Sequence, residues 1–185
     1  MKNFFKVGFL GSGNTAKKHA EVIHSFKNYS ITSVFSRNLQ NAKYFAKKYN
    51  VKNFYDDISK FKNIENYDLV IVCLPPDKLL YYLKHLINLN TNIFVEKPLG
   101  LNLNEAIKIL NLYKKRKFKE MKFFVGYNRR FLGSVLKLKQ IISKQKSKRF
   151  VDIQDQQDLN IAKNLGHSTN TIKNWMYANS IHTID

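Results

Sequence analysis

A chain of 185 residues with 44% hydrophobic and 14% aromatic side chains can bury one full domain and part of a second, which excludes a disordered or fibrous protein. Its single cysteine, Cys73, excludes a disulfide framework and points to a reducing compartment. The formal charge of +19 is spread over separate segments (Lys17 and Lys18, Lys47 and Lys48, Lys114 and Lys115, Lys146 and Lys148), which argues against a dedicated nucleic-acid surface and for a field that draws phosphate-bearing ligands.

The first residues do not read as a secretory leader, because Lys6 interrupts the apolar run and Gly11 and Gly13 follow where more apolar residues would be needed. No apolar run approaches the ~20 residues that span a bilayer, so a soluble, cytoplasmic protein without a membrane partner is expected. Residues 6–10 read as a first strand, and Gly11 and Gly13 make a turn. Over 15–26, Ala16, Ala20, Ile23 and Phe26 recur near helical spacing. Residues 31–36, rich in β-branched and aromatic side chains, read as a second strand. A helix over 38–49 is capped by Asn38 and turns Ala42, Phe45, Ala46 and Tyr49 inward. Residues 53–55 suggest a short third strand, and Asp56 and Asp57 start a helical turn through Phe61.

Residues 69–74 (Leu-Val-Ile-Val-Cys-Leu) are the most apolar stretch and suit a central parallel strand covered on both faces. Pro75 and Pro76 stop it, and Asp77 can cap a helix running to about Leu89. Residues 92–96 form a fifth strand, after which Asn102 or Asn104 caps a helix with Ala106, Ile109, Leu110 and Tyr113 inward. Residues 114–119 are a basic loop or helix end, 122–127 a sixth strand, and 132–143 a helix with Leu136, Ile141 and Ile142 as its apolar positions. Strands alternating with helices of these lengths predict βαβ units and a doubly wound parallel α/β sheet. The stretch Lys-Gln-Lys-Ser-Lys-Arg over 144–149 is the best boundary candidate, followed by a possible strand over 150–153 and a polar, loop-like segment.

Between the first strand and the first helix stands Gly11-Ser12-Gly13-Asn14-Thr15-Ala16, a Gly-x-Gly-x-x-Ala turn in the context a dinucleotide site requires. Gly11 lets the chain bend sharply, Gly13 lets backbone approach a pyrophosphate, and Ala16 lets the helix pack closely on the strand. The phosphates would rest on free N–H groups at the helix start, where the dipole also favours an anion. The second strand ends at Ser36 and Arg37, where NAD-binding forms usually carry an acidic residue. With no carboxylate to repel a 2′-phosphate, and with Arg37 able to pair with it, NADP is favoured over NAD. The plain alternative for Arg37 is a solvated side chain at a helix start.

Three further matches follow in order: Leu74-Pro75-Pro76, then Glu96-Lys97-Pro98 at the end of the fifth strand, then Gly126-Tyr127-Asn128-Arg129-Arg130-Phe131. With the glycine turn, this set resembles the Gfo/Idh/MocA oxidoreductases, named for glucose–fructose oxidoreductase and inositol dehydrogenase, over essentially the whole chain. The resemblance implies a Rossmann-type NAD(P)-binding domain over 1–128, with Leu74, Pro75, Pro76, Glu96 and Lys97 beside the cofactor, and a sugar, cyclitol or related polyol or carbonyl as substrate. It also implies a role in catalysis or substrate binding for Lys97. That role has a physical basis: ligands in open α/β sheets bind outside the carboxyl ends of strands. Oxidising an alcohol also needs a positioned acid–base group. A lysine beside a cationic nicotinamide would have its pKa lowered.

The family's second catalytic element is an Asp-x-x-x-His motif, whose histidine falls on His182 and whose aspartate falls on Ala178, with Asn179 the nearest polar residue. Histidine suits proton shuttling, though His182 as an ordinary core or surface residue remains open. His19, His24, His85 and His167 lie outside any motif and read as surface or packing residues, and no residue cluster has metal-ligand spacing. Family members continue into a second α/β domain that walls the substrate pocket and usually forms the oligomer interface. Residues 129–185 are therefore expected to be a linker helix and the incomplete start of that truncated domain, leaving Trp175, Met176 and Ile181 exposed; a homo-oligomer is expected only if the domain were complete. The rival expectation is a catalytically inactive module that holds the nucleotide.

Overall fold

The computed structural model describes residues 4–64, 66–144, 146–148, 150 and 152–181. Its strands are β1 (Phe5–Leu10), β2 (Tyr29–Phe35), β3 (Asn53–Tyr55), β4 (Leu69–Val72), β5 (Asn92–Glu96) and β6 (Phe123–Gly126). They form one 6-stranded sheet, parallel throughout, in the order β3-β2-β1-β4-β5-β6. The helices α1 (Asn14–His24), α2 (Leu39–Lys48), α3 (Ile58–Ile64), α4 (Pro76–Leu86) and α5 (Leu103–Lys114) connect them. The strand order reverses between β1 and β4, and outside the carboxyl ends of strands at such a reversal a crevice opens.

Neighbouring residues on the central strands serve opposite faces, which is why β4 reads as an unbroken apolar run. Val7, Phe9 and Ile71 pack against Ala16, Ala20 and Ile23 of α1 and Phe45 of α2. Leu10, Val70 and Val72 pack on the other face against Leu79, Leu83 and Leu86 of α4 and Ile109 of α5. Each large side chain so buried stabilises the fold by about 1.5–3 kcal/mol, before the entropy of ordering it.

The helix starts follow from local hydrogen bonding. Asn38 caps α2 by accepting from the Asn41 amide at 3.1 Å. Asn102, rather than Asn104, caps α5 by accepting from the Glu105 amide at 3.1 Å, and the Glu105 carboxylate accepts from the Leu101 amide at 2.8 Å. Pro75 occupies the cap position of α4, so Asp77 lies inside the first turn instead of capping it; a negative charge is favourable there against the helix dipole.

Several expectations need correction. Phe26 lies beyond the end of α1 and is 51% exposed, stacking loosely on Tyr29 rather than entering the core. Leu110 is likewise exposed, while Ala106 and Ile109 of the same helix are buried. The segment after β6 runs through a 3₁₀ turn (Asn128–Phe131) into α6 (Gly133–Ser143), which buries no residue at all; its apolar positions Leu136 and Ile141 face solvent. Of the possible strand over 150–153, the described residues Phe150, Asp152 and Ile153 are not in a strand, Phe150 is 93% exposed, and position 151 lies outside the described residues. Two short helices follow, α7 (Leu159–Asn164) and α8 (Thr169–Lys173), and then a π-helical turn (Met176–Ser180). Met176 is exposed as expected, but Trp175 and Ile181 are half-buried. Among the described residues, no helix is long and apolar enough to cross a membrane.

Candidate functional site

The turn between β1 and α1 contains two glycines with different reasons to be glycine. Gly11 has φ +111°, and a Cβ there would stand 2.3 Å from the Cys73 carbonyl oxygen, so the protein's own backbone forbids a side chain. Its amide donates to the Phe35 carbonyl at 2.8 Å, tying the turn to β2. Gly13 has an ordinary φ of −74°, and a Cβ there would meet nothing within 4 Å. Nothing among the described residues requires glycine at position 13, yet it lines the cleft. The first turn of α1 has no side-chain cap hydrogen bond and no acidic residue, and Lys17 and Lys18 follow directly. Backbone donors at an uncapped helix start, flanked by cations, are an anion site in form.

The turn opens into a cleft of about 1150 Å³ at the carboxyl ends of the strands. Gly11, Ser12, Gly13, Asn14 and Thr15 line it, with Ser36 and Arg37 from the end of β2. Leu74, Pro75 and Pro76 from the end of β4, and Glu96 and Lys97 from the end of β5, complete the sheet side. Ala16 is fully buried beneath the turn, where its small size lets α1 lie close on the sheet. His182 lies outside the described residues.

At the end of β5 the side chains form a connected group. Glu96 Oε1 lies 2.6 Å from His19 Nε2, and Glu96 Oε2 accepts from the Lys97 amide at 3.3 Å. Lys97 Nζ donates to the Ala178 carbonyl at 3.2 Å. Burial holds the Lys97 pKa below the ordinary lysine value; the Glu96 carboxylate opposes that shift and the Arg129 guanidinium adds to it. Burial, with the Glu96 charge, pushes the Cys73 thiol well up, so Cys73 is an inert wall residue and no nucleophile.

The opposite wall comes from residues 156–179. Trp175 Nε1 and Asn179 Nδ2 both donate to Gln157 Oε1, at 3.0 and 2.7 Å, which folds this segment onto itself. Tyr177 Oη donates to the Leu99 carbonyl at 3.4 Å, and the Lys97 bond to Ala178 makes a second tie to the strand ends. Ala178, on which the aspartate of the resembling motif falls, thus stands beside Lys97 with only a backbone carbonyl to offer.

His19 packs on the Phe94 ring, as expected of it, and is in addition joined to a cleft residue 77 positions away. His24 (on Tyr49), His85 (on Tyr81) and His167 (on Trp175) do serve packing. The reading from sequence also missed Lys17, Asn41 and Tyr44, which line the cleft beside Arg37, with Lys17 Nζ 5.4 Å above the Tyr44 ring. Helical periodicity held their signal, since Asn41 and Tyr44 fall off the buried face of Ala42, Phe45 and Ala46. For Gln157, Asp158 and Trp175 no motif or period offered one.

Residues 5–127 match the GFO_IDH_MocA family model, described as an oxidoreductase family with an NAD-binding Rossmann fold. Oxidoreductase P35 of Formosa agariphila is 27% identical over 143 residues, covering 77% of this chain and 44% of that protein. The myo-inositol 2-dehydrogenase of Thermotoga maritima is 28% identical over 140 residues, covering 74% of this chain and 40% of that protein. The scyllo-inositol dehydrogenase of Lactobacillus casei, solved with bound NAD(H) and scyllo-inositol, superposes with a TM-score of 0.68 over 76% of this chain and 41% of that one, at 22% identity. The chain therefore spans about two-fifths of the length of these relatives.

Proposed function

Because the chain belongs to the Gfo/Idh/MocA oxidoreductase family, we propose that it binds a nicotinamide dinucleotide and passes a hydride between it and a sugar, cyclitol or related polyol or carbonyl compound. NADP is preferred over NAD. The observation that carries the reading is the pairing of two features in one cleft: an uncapped helix start with a glycine that no described atom requires, and a half-buried lysine at the end of β5.

The amides from Gly13 to Thr15 would hold the diphosphate, with Gly11 fixing the bend and Lys17 and Lys18 supplying positive field. Ser36 and Arg37 would hold the adenosine ribose. Arg37, exposed at the cleft rim and with no carboxylate beside Ser36 to repel an anion, suits a 2′-phosphate. Leu74, Pro75 and Pro76 would form the apolar wall towards the nicotinamide, and Glu96 would face its ribose. A bound nicotinamide would take up or supply the hydride.

Removing hydrogen from an alcohol also removes the hydroxyl proton. Lys97 Nζ would orient that hydroxyl and take the proton, returning it in the reverse direction. Burial favours the neutral amine, so Lys97 can act as a base at a lower pH than an exposed lysine. His182 is the second proton-transfer group of the proposal. With Ala178 in place of an aspartate, no carboxylate orients that histidine from this position.

Calorimetric titration with NADPH and with NADH tests the binding half. The expected result is saturable binding, tighter for NADPH; absence of binding to either would overturn the reading. Turnover on inositols and hexoses with NADP tests the chemical half. Lys97→Met is expected to slow it by about 10²–10⁴-fold, the usual worth of a positioned acid–base group. Binding without turnover would leave the chain as a nucleotide-holding module.

A further inference from the structure

We propose that His19 is a positioning residue: from α1 it pins the Glu96 carboxylate at the end of β5 and so fixes the anionic corner of the cleft beside Lys97. The inference deepens the nucleotide reading of the same cleft and rests on it for its effect on binding.

Glu96 is held from several sides. His19 Nε2 approaches Oε1 at 2.6 Å, and since a carboxylate can only accept, Nε2 carries the hydrogen. Oε2 accepts from the Lys97 amide. Behind the carboxylate lies Gly126 of β6, where an added Cβ would come within 3.3 Å of Oε1 and 2.9 Å of the Phe94 ring. His19 packs edge-on against that same Phe94 ring, with centroids 5.3 Å apart, so its own orientation is set by the sheet. His19 and Glu96 are both partly buried, at 28% and 20% side-chain exposure, and a charge-assisted bond in that setting is stronger than one in water.

His19 itself does not line the cleft, whereas Glu96 does. The imidazole therefore acts through the carboxylate. Pinning matters because Glu96 is the charge that offsets burial at Lys97 and also bears on Cys73; Arg129 is the other charged group acting on Lys97. A carboxylate free to rotate would change the field at Lys97 Nζ and would face a ligand in many orientations instead of one. α1 thereby does two jobs in one cleft: its first turn presents backbone donors, and His19, further along the same helix, secures the far strand end.

The test compares the wild type with His19→Ala, His19→Gln and Glu96→Gln, and with His19→Ala combined with Glu96→Gln. Two readouts are used: NADPH affinity by calorimetry, and the titration midpoint of the Lys97 13Cε resonance, identified with Lys97→Met. Glutamine can place an amide donor close to the Nε2 position. His19→Ala is expected to weaken NADPH binding about tenfold. It is also expected to move the Lys97 midpoint, with His19→Gln restoring both. In the Glu96→Gln background, His19→Ala is expected to change neither. Unchanged affinity and midpoint in His19→Ala, or equal effects with and without the Glu96 carboxylate, would overturn the proposal. If the wild type binds no NADPH, the nucleotide reading fails, while the Lys97 midpoint, which needs no ligand, still decides whether His19 positions Glu96.

Discussion

The sheet-side wall of the cleft rests on residues that the core holds on every side, whereas the outer wall, formed from residues 156–179, rests on few buried positions. Behind the sheet wall, Val7, Phe9, Leu10, Val70 and Val72 are fully buried, and Gly11 is wedged against the Cys73 carbonyl. In the outer segment the buried residues are small: Ala162, Thr171 and Ala178. Hydrogen bonds from Trp175 and Asn179 to Gln157 fold that segment onto itself, and bonds from Lys97 to the Ala178 carbonyl and from Tyr177 to the Leu99 carbonyl tie it to the strand ends. Segments with few buried apolar contacts open at lower free energy than the core. One wall is thus rigid before any ligand arrives, and the other can adapt to what enters.

The sharpest contrast lies within the rigid wall. Gly11→Ala is expected to cost about 2–4 kcal/mol of stability, because its Cβ meets backbone and its φ is left-handed. Gly13→Val places its Cβ in open space and is expected to cost no more than about 1 kcal/mol, the price of a poorer helix cap. It should nevertheless weaken NADPH binding by about 100-fold, because the side chain would occupy the ligand's place. Thermal melts and calorimetry on the two variants separate a fold glycine from a ligand glycine.

Arg37→Glu is the next largest effect expected. It should shift the NADPH-to-NADH affinity ratio by about tenfold or more toward NADH, measured by parallel titrations, since a carboxylate there repels a 2′-phosphate and accepts from a 2′-hydroxyl. On the adaptable wall, Gln157→Ala removes the shared acceptor of Trp175 and Asn179. It is expected to cost only about 0.5–1.5 kcal/mol, seen as faster amide exchange confined to residues 156–179.

The smallest expected effect is a pH dependence at the junction of the walls. Burial sets the folded pKa of Lys97 below the ordinary value of 10.5. Between those two values the unfolded chain binds more protons, so this group's contribution to stability rises with pH there, and below the folded pKa its penalty is complete. Lys97→Met removes the penalty. The variant should melt above the wild type at neutral pH, by a margin that shrinks as pH climbs toward 10.5. A margin independent of pH would show that Lys97 is not destabilised in its charged form.

The same division explains what could be read from the sequence. The Gly11 to Ala16 turn, the strand-end segment Leu74 to Pro76, and Glu96 with Lys97 were legible because each is a short run whose meaning is local: a strand stops, and the residues after it face the crevice. The parallel sheet was legible from the alternation of strands with helices and from the unbroken apolar run of β4. The His19–Glu96 bond was not, because it joins positions 77 apart and depends on how α1 lies across the sheet. The apolar positions of α6 state what a helix could bury and not what stands opposite it; among the described residues nothing buries Leu136 or Ile141. Phe150 and Ile153 suit a strand by type and, among the described residues, have no partner edge. The outer wall is polar, short-helical and without a repeating pattern, so its place across the cleft became visible only in three dimensions.

The central claim is that backbone amides at the start of α1 receive the dinucleotide's diphosphate. Titrating NADPH into the ¹⁵N-labelled chain and following its amide resonances tests this directly. The account predicts that Gly13, Asn14 and Thr15 show the largest shifts, saturating together. Amides there that stay fixed while NADPH binds elsewhere, or while it fails to bind at all, would contradict it.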